Sequence, residues 1–259
     1  MLNLSDVSIL LKTFFRNDKL FNSISAIRKN TPEIHMIIVD DGEQSKEKDE
    51  IYEGLIKEGH TVIVLPFDSG FGRKSNAGIN ALVHPLLLIS SDDFDHRPDS
   101  FKSGVAKMLE VLNKSPELSI VSGRLANRGQ YEFHLLEKDG VITEYPIRHF
   151  LTQYHDGYVP CDVTVNYSLI RKEVFEKVRF DDEEIIGEGG HGAFFYDVKK
   201  SGLKVGWVPG VEISEQTGRD SDRYRQFRAR ACGPSRKCFE KRNIRRWVLG
   251  SGQVDYEVK

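Results

Sequence analysis

The stretch VSILLKTFFRNDKLFNSISAIRKNTPEIHMIIVDDG, residues 7–42, indicates the fold class of this chain. It opens with an apolar run from Val7 to Thr13 and closes with another from Ile34 to Val39, and such short runs are typical of buried strands. The residues between the runs carry apolar side chains at helical spacing: Leu20, Phe21, Ile24 and Ile27. A strand, a helix and a strand in this order predict a βαβ unit, the building block of α/β folds.

The same alternation continues downstream. We predict a charged helix over residues 46–58, a strand over 61–66, a helix over 73–82 and a strand over 85–90. Continuous apolar strands separated by helices predict a mainly parallel sheet that is covered on both faces. Because ligands bind beyond the carboxyl ends of such strands, the polar segments at these ends are the candidate site.

The second half of the chain has a less regular pattern. Residues 118–123 and 203–209 are predicted to be strands, and residues 192–201 a helix that ends at Gly202. Ordered structure is also expected over residues 162–170. Residues 124–160 show no regular pattern, and we expect a substrate-specific insertion there.

Composition limits the class of protein. The chain has 259 residues, 39% of them hydrophobic, and a net charge of −2, so a packed core is expected and the chain as a whole is not a polyanion binder. Its three cysteines do not predict a disulfide framework. No apolar run approaches the roughly 20 residues of a membrane span, and the first residues read as a strand rather than a leader. We therefore expect a cytoplasmic protein without a transmembrane segment.

Three polar segments follow predicted strands. Asp40-Asp41-Gly42 is either a turn or a site that accepts hydrogen bonds from a base or ribose. SSDDFD, residues 90–95, concentrates carboxylates that Mg²⁺ or Mn²⁺ would neutralise, although a solvated acidic loop is the alternative. SGFGRKSN, residues 69–76, places glycines and two basic residues at a helix start, which suits a phosphate, but alone this motif is weak.

Taken together, the order IIVDDG, GFGRKSN and SSDDFD resembles the family 2 glycosyltransferases. The later stretch from Asp162 to Val211 is similar to the acceptor half of that family, particularly the branch of the β-1,4-N-acetylgalactosaminyltransferases. The resemblance covers about residues 5–215 and implies a GT-A fold, in which a Rossmann-like, mainly parallel sheet lies between helices. It implies a nucleotide-sugar half over 1–123, an acceptor half over 124–215 and a basic C-terminal extension over 216–259.

The resemblance also implies roles for individual residues. Asp41 would contact the nucleotide base beside Thr13, and Asp92 would contact the ribose. The start of the helix after the Gly-rich turn would face the donor through Arg73, Lys74 and Asn76. Asp93 matches the metal-binding position of the DXD motif, whose first Asp is replaced by Ser90 in this alignment, and Asp95 is a substitute ligand. The cofactor would be Mn²⁺ or Mg²⁺.

The expected catalytic base departs from the family pattern. Inverting members carry an acidic pair at the start of a helix where this chain has Gly190 and His191. Two residues are candidates for the base: Glu188, just upstream, and His191, whose imidazole titrates near neutral pH. A structural role for His191 is equally compatible with the sequence.

Residues 219–246 contain eleven Lys or Arg and three acidic residues. This segment could pair with the acidic body, close over the donor diphosphate, or bind an anionic partner such as nucleic acid or a membrane surface.

The function expected is transfer of a sugar from a nucleoside-diphosphate sugar, with UDP favoured, to an acceptor hydroxyl of a glycan, a small molecule or a nucleic acid, with inversion and metal assistance. The alternatives are glycosylation of a nucleic-acid base such as a hydroxymethylpyrimidine, a non-catalytic donor-binding module, and a nucleotidyltransferase, which shares the architecture.

Overall fold

The structure of the chain is a computed structural model. It describes residues 1–126, 131–147, 156–184, 190–229, 236–250 and 256–257.

The first half alternates strands and helices as the sequence predicts. After a short 3₁₀ turn (Leu4–Asp6), its elements are β1 (Val7–Thr13), α1 (Asn17–Asn30), β2 (His35–Asp40), α2 (Lys46–Lys57), β3 (Thr61–Val64), α3 (Phe71–Asn80), β4 (Leu86–Ser91) and α4 (Asp99–Lys114).

The second half is richer in short strands. Its elements are β5 (Leu118–Leu125), β6 (Phe133–Lys138), β7 (Val141–Pro146), β8 (Val159–Cys161), β9 (Ser168–Arg171), α5 (Val174–Lys177), α6 (Gly190–Lys200), β10 (Lys204–Ile213), α7 (Asp222–Ala229), α8 (Arg236–Glu240), β11 (Arg246–Val248) and β12 (Tyr256–Glu257).

The main sheet has eight strands in the order β3-β2-β1-β4-β9-β5-β10-β8. Strands β3, β2, β1 and β4 are parallel, and β10 is parallel to β5. Since β9 runs antiparallel to both β4 and β5, these two strands share a direction. The carboxyl ends of β1, β2, β4 and β10 therefore meet at one edge of the sheet, which confirms the predicted α/β class.

Helices cover both faces of this sheet. One face packs on α1, α2 and α4, and on α1 the side chains of Leu20, Ile24 and Ile27 are buried with no more than 2% of their surface exposed. Each such side chain contributes roughly 1.5–3 kcal/mol by leaving water. The other face packs on α3 and α6, through residues such as Ile79 and Phe194.

The segment that lacked a clear pattern contains a hairpin. Strands β6 and β7 pair antiparallel around Asp139 and Gly140, and they form a second sheet of order β12-β11-β7-β6. Strand β11 of the C-terminal segment is parallel to β7, so this segment contributes a strand to the same sheet. Of the ordered stretch predicted over 162–170, only its end forms a strand, and Val163 near its start makes an isolated bridge to Phe133.

Among the described residues, no helix has both the length and the apolar character needed to cross a bilayer.

Candidate functional site

An arginine joins the acidic loop to the first strand. Arg16 follows β1, and its guanidinium contacts Asp92 Oδ1 at 2.5 Å and also forms an ion pair with Asp93. Parallel pairing of β1 with β4, with Lys12 opposite Ser91, brings these segments side by side. The site therefore starts with one guanidinium shared by two carboxylates.

Burial controls the charge of this cluster. The Asp92 side chain is fully buried, and burial raises its pKa to about 6 although Arg16 acts in the opposite direction. Burial also acts to lower the pKa of Arg16, but Asp92 and Asp93 outweigh it and the pKa is raised. Arg16 thus stays charged at every physiological pH, whereas Asp92 gains its charge only as the pH passes about 6.

A buried amide holds the acidic loop in place. Gln216, just after β10, donates through Nε2 to the carbonyls of Asp92 at 3.0 Å and Phe94 at 3.1 Å. Ser90, the residue in place of the first motif Asp, is bonded to His96 at 2.9 Å. Ser90 is therefore part of the support of the loop, and the carboxylates that face the site come from the residues after it.

The Asp-Asp-Gly segment has two carboxylates with different partners. Asp40 accepts hydrogen bonds from Lys48 and Tyr52, both at 2.8 Å, and is fully enclosed. Asp41 accepts from Lys74 Nζ at 2.6 Å and from the amide of Gly70 at 2.8 Å. Asp40 is thus a structural residue, and Asp41 ties the end of β2 to the start of α3.

The side chains at the start of α3, after the Gly-rich turn, are of two kinds: some are exposed and others have structural contacts. Lys74 also donates to the Thr13 carbonyl at 3.2 Å, so Thr13, Asp41 and Lys74 lie together. Arg73 is exposed. The Asn76 amide donates to the Phe180 carbonyl at 2.7 Å and to Asp182 at 2.8 Å, so this side chain joins α3 to the segment before α6.

The two residues predicted to hold a metal have different partners in the structure. Asp93 lies with Arg16 and accepts a hydrogen bond from Ser91, whereas Asp95 forms a two-point pair with Arg97 at 2.7 and 2.8 Å. Within the described part of the chain, no group of three His, Cys, Asp or Glu side chains is arranged to hold a metal ion. Mg²⁺ and Mn²⁺ need only one or two protein carboxylates when phosphates and water complete their shell, so Asp93 fits such a role.

Of the two candidate bases, the described residues include one. Glu188 lies outside them. His191, in the first turn of α6, has Nε2 at hydrogen-bond distance from the Thr164 carbonyl, so this nitrogen carries the proton, and Nδ1 is buried without a partner. Burial lowers the pKa of His191 to about 4, although the bond to Thr164 acts the other way, so the ring is neutral at pH 7.

The basic segment lies partly on the site. On α7, Tyr224 faces the Arg16 guanidinium at 4.6 Å, Arg223 is paired with Glu43, and the Phe227 ring is 5.3 Å from that of Phe14. Farther along, Arg242 pairs with the body through Asp181 and Asp197. These described contacts are with carboxylates and rings of the chain itself, and they do not support a separate anionic partner.

Sequence reasoning missed three residues of this site. They are Arg16, Lys12 and Gln216. The sequence shows only that Arg16 is a basic residue in the turn after β1. Its partners, Asp92 and Asp93, lie 76 and 77 residues farther along the chain. Gln216 carries no signal, because its four hydrogen-bond acceptors come from residues brought near by the sheet.

Comparison with known proteins bears on the family of the chain. The family model "Glycosyl transferase family 2" matches residues 8–179. A β-1,4 N-acetylgalactosaminyltransferase 2 of Mus musculus is 33% identical over 81% of this chain and 39% of its own length, and the human β-1,4 N-acetylgalactosaminyltransferase 1 is 27% identical over 80% and 38%. The chain thus spans about two fifths of the length of these curated relatives.

Solved structures share the fold at low sequence identity. A crystal structure of GalNAc-T7 with UDP, GalNAc and Mn²⁺ gives a TM-score of 0.64 at 15% identity, covering 83% of this chain and 44% of that one. The S. aureus TarS structure of residues 1–349 gives 0.56 at 12%, covering 81% and 60%. Both are GT-A glycosyltransferase structures, so the predicted fold is confirmed. Because the family model matches residues 8–179, more than half of the chain, the chain belongs to glycosyl transferase family 2.

Proposed function

We propose that this chain transfers a sugar from a nucleoside-diphosphate sugar to an acceptor hydroxyl with inversion at the sugar carbon. One observation carries the proposal: Asp41, Asp92 and Asp93 meet at the carboxyl edge of the parallel strands, where open α/β sheets bind nucleotides. The family match supports glycosyl transfer as the reaction class.

The donor would lie along this edge. Thr13 and Asp41 would contact the base and Asp92 the ribose. Arg73 and Lys74 would face the donor, while Asn76 would support the start of α3. UDP is the favoured nucleotide. N-acetylgalactosamine is the first sugar to test, because the curated relatives are named for its transfer.

A divalent cation would be held by Asp93, with Asp95 as a second ligand once it leaves Arg97. Asp93 must exchange its ion pair with Arg16 for the cation, so we expect the cation and the donor to bind together. When bound, Mn²⁺ or Mg²⁺ would neutralise negative charge on the departing nucleoside diphosphate.

The proton of the acceptor hydroxyl would go to Glu188. We favour it over His191 because the imidazole is held by Thr164 through one nitrogen and has the other buried. His191 then keeps the start of α6 in position.

The experiment is thermal stabilisation by UDP-GalNAc, UDP-glucose, GDP-mannose and dTDP-glucose, with and without Mn²⁺. We expect a rise in Tm with one UDP-sugar that requires Mn²⁺ and is absent in Asp93→Ala, whereas the exposed Asp99→Ala retains it. Absence of stabilisation by every donor in the unmodified chain would overturn the proposal.

One observation favours a second function, a donor-binding module without transfer. The first turn of α6 contains no acidic residue, although inverting relatives are expected to carry their base there. Release of UDP in the presence of a panel of sugar acceptors separates the two, because a binding module would be stabilised by donor but would release none.

A cytosolic location is also part of the proposal. The buried Cys161 is a free thiol, which is usual in a reducing compartment. Fractionation of cells that express the full-length protein tests it.

A further inference from the structure

Lys12, a lysine on β1, has no role in the proposed function. Lys12 precedes Thr13, so its side chain points to the opposite face of the sheet, the one that α3 and α6 cover. Its amine lies 3.1 Å from Ser75 Oγ and 4.1 Å from the centre of the Phe71 ring. Lys12 as a whole residue is partly exposed at this edge of the sheet.

Among the residues that the structure describes, no carboxylate forms an ion pair with Lys12. Its charged neighbours are Lys74 on α3 and Asp92 after β4, and its charge is also felt by His191 on α6. Burial and, next, Lys74 lower the pKa of Lys12 to about 7, while Asp92 acts against them. The chain thus maintains an amine where its charged form is disfavoured.

Two other cations at this edge already have carboxylate partners. Arg16 is shared by Asp92 and Asp93, and Lys74 is paired with Asp41 at 2.6 Å. An anion that enters between β1 and the starts of α3 and α6 would therefore find Lys12 as the cation without a carboxylate partner. The diphosphate of a nucleotide sugar is an anion of this kind.

We propose that Lys12 binds the diphosphate of the donor and stabilises the negative charge that the diphosphate gains when it leaves. This inference rests on the proposed function. In the transfer, the bond between the sugar carbon and the diphosphate oxygen breaks, and its electron pair stays on that oxygen. The acceptor oxygen forms the new bond and gives its proton to the base. Lys12 remains protonated throughout, and its charge is most favourable where negative charge develops.

Proton uptake on donor binding tests this assignment. At pH 8 the free amine, with a pKa of about 7, is mostly neutral, whereas the amine in contact with diphosphate is charged. Titration calorimetry with UDP-GalNAc and Mg²⁺ in buffers of different ionisation enthalpy should therefore show uptake of close to one proton. The sugar diphosphate stays fully ionised, Asp92 is already charged and His191 is neutral at this pH, so none of these supplies the signal.

Two variants at this position and one elsewhere sharpen the test. Lys12→Met should weaken donor binding at pH 7 by about 10- to 100-fold and abolish the uptake. Lys12→Arg, which is always charged, should bind donor without uptake, and this separates loss of the amine from misfolding. Lys57→Met, at an exposed position on α2, should behave as the unmodified chain does.

The possible outcomes separate the role of Lys12 from the proposed function on which it rests. If UDP-GalNAc and the other nucleotide sugars fail to bind the unmodified chain, the proposed function fails and the role of Lys12 fails with it. If donor binds without proton uptake, or if Lys12→Met keeps the uptake, only the role of Lys12 is overturned.

Discussion

Asp92 is a carboxylate that the fold encloses and pairs with one guanidinium. Taking a carboxylate out of water is costly, and the attraction of Arg16 offsets only part of the cost, as the raised pKa of Asp92 shows. Such residues are common at functional sites, because the charge that destabilises the empty site is stabilised when a ligand brings cations or hydrogen-bond donors.

This burial makes the stability of the chain depend on pH. The pKa of Asp92 is raised from 3.8 to about 6, so its contribution to stability is present below about pH 4 and is lost as the pH rises through 6. Urea unfolding should show this loss as a difference between two chains: from pH 4 to pH 7, the free energy of unfolding of Asp92→Asn should rise relative to that of the unmodified chain by at most roughly 3 kcal/mol. The exposed Asp99→Asn is the control, and an unchanged pH slope in Asp92→Asn would contradict the assignment.

The two candidate bases should differ in their effect on transfer. Glu188→Gln keeps the shape of the side chain but cannot accept the proton, and we expect kcat to fall by about 100-fold or more at unchanged donor KM. His191→Gln retains an N–H donor for the Thr164 carbonyl, so we expect kcat to stay within about tenfold. Steady-state kinetics measure both, and a loss in His191→Gln as large as that in Glu188→Gln would identify the imidazole as the base.

At the scale of elements, the most informative is α7. None of its residues is buried, yet it lies on the rings of Phe14, Phe15 and Phe67 through Phe227. A short helix with no buried residue can open at low cost, because each aromatic pair contributes only about 0.5–1.5 kcal/mol and an exposed ion pair such as Arg223–Glu43 contributes little. The geometry is therefore suited to an element that moves when the donor enters.

The packing of α7 should depend on Phe227. We expect Phe227→Ala to raise amide hydrogen exchange across residues 222–229 by roughly tenfold or more, because three ring contacts are lost together. Gln226→Ala, at an exposed position of the same helix, should leave exchange unchanged. Equal exchange in the two variants would show that the rings do not hold the helix. Mass spectrometry of peptides from this region provides the measurement.

The sequence predicted helices and strands correctly wherever buried positions leave a clear apolar pattern, either a continuous run or a helical repeat. Strands β1 to β4 are continuous apolar runs, and their order in the sequence is enough to predict Asp41, Asp92 and Asp93 at one edge of the sheet. The hairpin of β6 and β7 had a usable signal that was missed: Asp139-Gly140 stands between two alternating runs, and both residues have positive φ, of 50° and 72°. The contacts of Arg16 and Phe227 had no signal in the sequence, since these contacts depend on which strands become neighbours in the fold.

At the scale of the whole molecule, the C-terminal segment is joined to the acceptor half through a shared core. Trp247 is 1% exposed, lies on the Phe239 ring at 5.2 Å, and donates from Nε1 to Glu144 at 2.8 Å. A side chain on Gly192 would meet the Trp247 ring at 3.1 Å, so the tryptophan also packs against the first turn of α6. The boundary predicted between 215 and 216 stays a prediction, and these contacts suggest how to test it.

If the segment and the acceptor half share one core, then loss of Trp247 should destabilise the entire chain. We expect Trp247→Ala to lower the free energy of unfolding by about 3–5 kcal/mol in a single transition, because it leaves a large cavity and removes one of the hydrogen bonds of the buried Glu144. Denaturant unfolding followed by Trp207 fluorescence and by circular dichroism measures it. Arg246→Ala, an exposed neighbour on β11, should change it by less than about 0.5 kcal/mol. Two separate transitions, with the Trp207 signal unaffected, would instead establish residues 216–259 as an extension that folds independently of the transferase body.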